Sequence, residues 1–257
     1  MRYKVTLAYD GNNYVGFQSQ KNGLAIQDVL EKALKQIFGE DIRINMASRT
    51  DAGVHALGQV FHFDSDKTMD GYKLKGAINA LIPKDIHILK AEKVSKNFHA
   101  RFMVEEKTYE YKINLGEYDV FKHGYAYQCF YKLDLDLMKK GAELFIGKHD
   151  FSSFNTTPYS VKADQTRTIT EFKLIKKGDL LTIRVTGDGF LRNMVRIMVG
   201  TLIDLGRGKK SLDDIKDMLA TPKKDTRRYN IDPNGLYLVK IKYYKSFKEY
   251  LRVLNSK

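Results

Sequence analysis

An α+β fold built of two strand-helix-strand-strand-helix-strand units is what this sequence predicts, and three observations carry that expectation. Residues 26, 29, 30, 33, 34, 37 and 38 are apolar at the spacing of one face of a helix, and 191, 194, 195, 198, 199, 202 and 203 repeat the pattern in the second half. Around them lie runs with the two-residue alternation of strands. The order of the two patterns in the first half recurs in the second. That order is the ferredoxin-like, RRM-like βαββαβ unit. Two copies would form a mixed, mainly antiparallel sheet with helices on one face and a central active-site cleft.

Each element has its own warrant. Strands are expected near 3–9, 42–48, 57–64 and 86–94, with helices at 26–38 and about 70–82. Gly39 suits the end of the first helix, since it tolerates the left-handed backbone that closes one. In the second half a strand is expected near 107–114, with another near 124–131. A helix follows near 134–146, with Asp134 as its cap and Gly147 just past its end. Residues 167–176 and 180–187 form a hairpin turning at Lys177-Gly178-Asp179. Ser211-Leu212-Asp213-Asp214 is a capping box opening a short helix after the one at 191–205. A last strand runs from Leu236 to Tyr244, and the tail after Lys245 has no clear pattern. The expected domains are 1–103 and 104–257.

Composition narrows the function. The single cysteine, Cys129, excludes an intrachain disulfide and a multi-cysteine metal site. No apolar run approaches the ~20 residues of a membrane helix, and the alternating start of the chain lacks a signal-peptide core. A cytoplasmic protein is expected. Lys and Arg total 44 against 31 Asp and Glu, a net charge of +13, with the larger excess after residue 103. That excess suits a polyanionic partner and equally suits a solvated basic surface. Gly206-Arg207-Gly208-Lys209-Lys210-Ser211 glances at a phosphate loop, but position 203 is Ile where that loop needs Gly. The six histidines are scattered without metal-helix spacing, so no metal is expected. His123 to Phe130 has the aromatics of an RNA-recognition strand, but lacks its basic residue and precedes its helix.

Residues 47–63 form the segment where a candidate site is expected. The segment Ala47-Ser48-Arg49-Thr50-Asp51-Ala52-Gly53-Val54-His55 joins two strand candidates, with Gly53 and Gly58 freeing the backbone. By residue type alone the favoured reading is an Asx-turn with a surface ion pair.

This segment closely resembles the signature of the TruA family of tRNA pseudouridine synthases, Gly-Arg-Thr-Asp-Ala-Gly-Val-His-Ala, with Ser48 in place of the first Gly. The resemblance runs along most of the chain. It includes Tyr9-Asp10-Gly11, Gly16 to Gln20 with Phe17 where Trp is usual, Pro83 to Ile86, and Phe98-His99-Ala100-Arg101-Phe102. It continues through Lys107 to Tyr111, Gly147 to Phe151, Arg167-Thr168-Ile169, Phe190 to Gly200 and Gly235 to Leu238, and is weakest over 228–234.

The resemblance implies a cofactor-free isomerase that converts uridine to pseudouridine in the tRNA anticodon stem-loop, at positions 38, 39 and 40. It implies Asp51 as the essential carboxylate, nucleophile or base, Arg196 as its ion-pair partner, and Tyr109 stacking on uracil and taking the C5 proton. Strand alternation alone makes Tyr109 a core residue, and Arg196 alone suits any nearby carboxylate. Arg49 is implied to flip the target nucleotide, or else to brace the loop. Thr50, Gly53, Arg192, Lys209 and Lys210 are the further candidates for substrate contact, with Lys139, Lys140 and Arg207 as scattered basic positions. A homodimer gripping tRNA is implied. The competing readings are a non-catalytic RNA-binding protein on the same units, a hydrolase releasing uracil, and the same enzyme with a shifted target.

Overall fold

A computed structural model describes residues 1–161, 164–223 and 229–255. In chain order the elements are β1 (Arg2–Tyr9), α1 (Ile26–Phe38), β2 (Asn45–Met46), β3 (His55–Asp64), α2 (Gly71–Leu81), β4 (Ile86–Val94), β5 (Val104–Asn114), β6 (Tyr127–Gln128), α3 (Leu135–Glu143), β7 (Gly147–Asp150), β8 (Thr166–Lys177), β9 (Leu180–Gly187), α4 (Met194–Gly206), α5 (Leu212–Ala220), β10 (Leu236–Tyr243) and α6 (Phe247–Asn255). This is the expected α+β class, with mainly antiparallel pairing and parallel pairs at β3/β10 and β5/β6.

The chain forms two compact units. One comprises Met1–Glu106 and the chain from Tyr237 onward; the other is Lys107–Leu236. The last strand and helix thus group with the first unit, where the sequence predicts them in the second.

In the first unit β1 pairs antiparallel with both β3 and β4, and β2 with β3, the 4-1-3-2 order of a ferredoxin-like sheet. The alternation of β1 turns Tyr3, Val5 and Leu7 to one face, where all are fully buried. Their partners Phe63 and Phe61 share that face, and Phe38 of α1 closes it with rings 6.3 Å from Tyr3 and 5.8 Å from Phe63. Burying side chains of this size stabilises by about 1.5–3 kcal/mol each. Lys4 and its partner His62 point to the opposite face. Gly39 ends α1 at φ 71, donating its N–H to Lys35, as its position predicts.

In the second unit β5 pairs with β9, β9 with β8, and β8 with β7, all antiparallel. Tyr109, Tyr111 and Ile113 lie opposite Val185, Ile183 and Leu181. Helix α4 is buried almost all round. Gly141 of α3 meets it so closely that a Cβ would stand 2.3 Å from the Leu205 side chain. Asp134 caps α3 by accepting from the Leu137 N–H, and Ser211 with Asp214 forms the expected capping box of α5.

The departures from expectation are local and have physical causes. The strand expected at 42–48 keeps two residues, because the Gln59 side-chain amide binds both the N–H and the carbonyl of Ser48 in place of the next ladder bonds. The strand expected at 124–131 is likewise two residues, since the Lys122 carbonyl accepts from the N–H groups of Tyr125 and Ala126 in a turn. Gly147 opens β7 at φ 113 rather than trailing a helix. Helix α3 stops at Glu143, and Phe145 turns into a cluster with Phe151, Phe154 and Phe172. The tail carries α6, and Arg228 lies outside the described residues.

Candidate active site

In the first unit Arg49, Thr50, Asp51 and Gly53 occupy the loop between β2 and β3. Five restraints hold it. Gln59 clamps Ser48 at its start. The Thr50 carbonyl accepts from the Phe17 N–H at 3.2 Å, and Asp51 forms an isolated antiparallel bridge with Gly16. The Thr50 hydroxyl bonds the Tyr9 hydroxyl at 2.8 Å in a buried contact. The Asp51 carbonyl accepts from the Val54 N–H, and Gly53 takes φ 74 to close that turn.

Gly16 is required where it stands. Its φ is 114, and a Cβ there would sit 2.5 Å from the Thr50 carbonyl oxygen. Gly11 is held as closely, 2.1 Å from the Val54 carbonyl for a built Cβ. The buried His55 ring accepts from the Gly11 N–H at 3.1 Å and lies 3.2 Å from an Asp10 oxygen, with its Nδ1 at both contacts. Asp51 is half-buried, Thr50 buried and Arg49 exposed. The Tyr9-Asp10-Gly11 segment thus supports the acid-bearing loop, a role that residue types alone left unassigned; its only signal was its place in the motif.

In the second unit Tyr109 is 5 % exposed on β5, with Phe190 edge-on at 5.0 Å. Arg196 lies in the first turn of α4. Its Nε donates to the Ile231 carbonyl at 2.7 Å and its Nη1 to the Asn193 side-chain oxygen at 3.0 Å. Asn193 caps α4 at φ 60, the only non-glycine residue with positive φ among those described, and its amide also donates to the Thr156 hydroxyl. Next to the carbonyl that Arg196 uses, the Asp232 carbonyl accepts from the buried Tyr111 hydroxyl at 2.6 Å. Burial pushes the Tyr111 phenol well above its ordinary pKa, so it stays a donor. Gly200 packs with a built Cβ 2.0 Å from the Tyr229 carbonyl. Tyr111 and Gly200 therefore fix the 229–235 segment that holds Arg196.

Arg192 precedes α4, and its backbone exchanges hydrogen bonds with Thr156 and Thr157. Lys209 and Lys210 follow the other end of α4. A 13-residue helix rises about 20 Å, so they are not neighbours of Arg192 and Arg196. Arg207 Cζ stands 3.4 Å over the Tyr131 ring centre, and Lys139 pairs with Asp136. Among the described residues no three His, Cys, Asp or Glu side chains could hold a metal ion, and no helix is long and apolar enough to cross a membrane.

A family model described as tRNA pseudouridine synthase matches residues 6–103 and 142–244. A protein of Bacillus licheniformis named tRNA pseudouridine synthase A is 45% identical, over 95% of this chain and 99% of its own. Its namesake in Oceanobacillus iheyensis is 43% identical over 94% and 96%. A solved Cbf5–Nop10–Gar1 complex covers 78% of this chain and 54% of its own at 10% identity and a TM-score of 0.33, a likeness too slight to bear on function. Matched by that family model over both halves and 45% identical to a named member over nearly its whole length, the chain belongs to the tRNA pseudouridine synthase family.

Proposed function

We propose that this protein isomerises uridine to pseudouridine in tRNA, with Asp51 as the essential carboxylate. The observation that carries the reading is the match, at 43% and 45% identity over 94% and 95% of the chain, to proteins named tRNA pseudouridine synthase A. The immobilised, half-buried acid-bearing loop supports it, because a catalytic carboxylate works from a fixed position.

The reaction breaks the bond between uracil N1 and ribose C1′, turns the base, and joins C5 to C1′. The C5 proton is lost and N1 ends protonated, so no atom is gained or lost overall. Asp51 acts at the sugar or base as nucleophile or general base. Arg196 serves as the cation that keeps this acid ionised, and a guanidinium fork suits that task better than an ammonium. Tyr109 stacks on the uracil and takes the C5 proton. Arg49 helps to extrude the nucleotide, which a stacked helix would otherwise hide. Thr50 and Gly53 shape the loop, and Arg192, Lys209 and Lys210 meet tRNA phosphates away from the reacting base. The target positions are 38, 39 and 40, reached by a homodimer in the cytoplasm.

Tritium release from 5-tritiated uridine in tRNA tests this. Wild-type protein releases tritium without freeing uracil. Asp51→Asn loses at least about a hundredfold in rate while keeping tRNA affinity and melting temperature. Free uracil as product, or normal release by the variant, defeats the assignment.

A further inference from the structure

The ring of Phe190 stands against Tyr109 in the second unit, 5.0 Å between centroids and inclined by 78°. The sheet beneath makes room for it. Tyr109 and Val185 are partners across β5 and β9, as are Lys107 and Gly187. Side chains two apart along a strand point the same way, so Gly187 lies on the face that carries Tyr109. Having no side chain, it leaves the place diagonal to Tyr109 open. A Cβ at Gly187 would stand 2.7 Å from the Thr168 carbonyl oxygen, 2.9 Å from Ile169 Cδ1 and 3.4 Å from Phe190 Cζ. The Phe190 ring thus packs where a side chain of residue 187 would go. The pairing of β8 with β9 shifts between Ile169 and Glu171, just beyond the Ile169–Gly187 pair. Irregularities of this kind re-aim side chains.

The backbone that carries Phe190 is clamped on both sides. The Asp188 N–H donates to the Thr168 carbonyl at 3.1 Å, and the Asp188 carboxylate accepts from the Thr168 N–H at 3.0 Å. The Arg192 N–H donates to the Thr157 hydroxyl at 3.1 Å, and the Arg192 carbonyl accepts from the Thr156 N–H at 3.0 Å. Between these clamps Leu191 is buried, whereas Phe190 is only half-buried. Tyr109 is almost wholly enclosed, so the groups packed on it set the plane of its ring. A perpendicular aromatic neighbour restrains that plane more than an aliphatic chain does, because the attraction between ring quadrupoles depends on the angle between the rings. A base stacked on Tyr109 takes its plane from that ring. A displacement of about 1 Å at a reacting centre costs about a hundredfold in rate.

We infer that Phe190 is a positioning residue for the isomerisation: packed over Gly187 and perpendicular to Tyr109, it fixes the plane of the Tyr109 ring and through it the plane of the uracil. It acts through Tyr109 and takes no proton itself. The inference rests on Tyr109 carrying the uracil.

Tritium release from 5-tritiated uridine in tRNA tests it, with the full-length protein assayed well below each variant's melting temperature. Phe190→Leu keeps apolar bulk but loses the flat ring. Its kcat falls about ten- to a hundredfold, while KM for tRNA, set mainly by phosphate contacts, stays within about twofold. Phe190→Tyr keeps the ring and recovers most of the lost kcat. A residue that only fills space would let leucine serve as well as tyrosine. Wild-type kcat in Phe190→Leu, an equal loss in Phe190→Leu and Phe190→Tyr, or a loss confined to KM overturns the inference. Tyr109→Leu separates this failure from that of the underlying reading. If Tyr109→Leu loses release and Phe190→Leu does not, only the positioning role falls. If Tyr109→Leu releases tritium at the wild-type rate, the assignment of Tyr109 falls as well.

Discussion

At the scale of single residues, the acid-bearing loop depends on atoms that are not part of the chemistry. Asp51 is positioned by backbone contacts to Gly16 and Phe17 and by the buried Tyr9–Thr50 hydroxyl pair. A methyl group at Gly16 meets the Thr50 carbonyl and must also adopt a φ that side chains resist. Gly16→Ala should therefore destabilise the fold by about 1–3 kcal/mol and shift Asp51. Urea unfolding and tritium release measure the two effects. A variant of normal stability and turnover would show that the loop does not need this approach.

At the scale of elements, the start of α4 determines how Arg196 is held. The apolar stripe predicts a helix from 191, but the structure delays it to Met194, because Asn193 takes a left-handed conformation. That geometry lets one side chain bind both Thr156 and Arg196. Two substitutions separate backbone from side chain. Asn193→Gly keeps the φ without strain but removes both hydrogen bonds; Asn193→Ala adds about 1–2 kcal/mol of left-handed strain. Alanine should lower the urea midpoint more than glycine does, while both reduce turnover. Full turnover in the glycine variant would mean that Arg196 is held without Asn193.

For the whole molecule, the sharpest expectation concerns acid. His62 is fully enclosed, and its Nδ1 must stay unprotonated to accept from Ala100. Burial first, then the charges of His99 and Arg2, lowers its pKa to about 4, against a smaller opposing pull from Asp64. The unfolded chain takes up this proton below about pH 6.5, and the folded protein resists until about 4. Between those values the unfolded state holds more protons, so stability falls as pH drops and levels off below about 4. The total for this group is at most about 3 kcal/mol. Urea midpoints of the wild type should fall more steeply from pH 7 to 5 than those of His62→Gln. Parallel curves would show that His62 does not set this pH dependence.

Runs of neighbouring residues suffice for the α+β class, most element positions, the helix ends at Gly39 and Ser211, and the signature loop around Asp51. These are local properties, since an apolar period, a cap or a motif is written in consecutive residues. Long-range contacts set where β2 stops, why Gly147 opens a strand, and that the chain from Tyr237 joins the first unit. Each of these depends on groups far apart in the chain, such as Gln59 clamping Ser48 or His62 holding Ala100. Such contacts form only after folding closes the loops between them, and no window of neighbouring residues contains both partners.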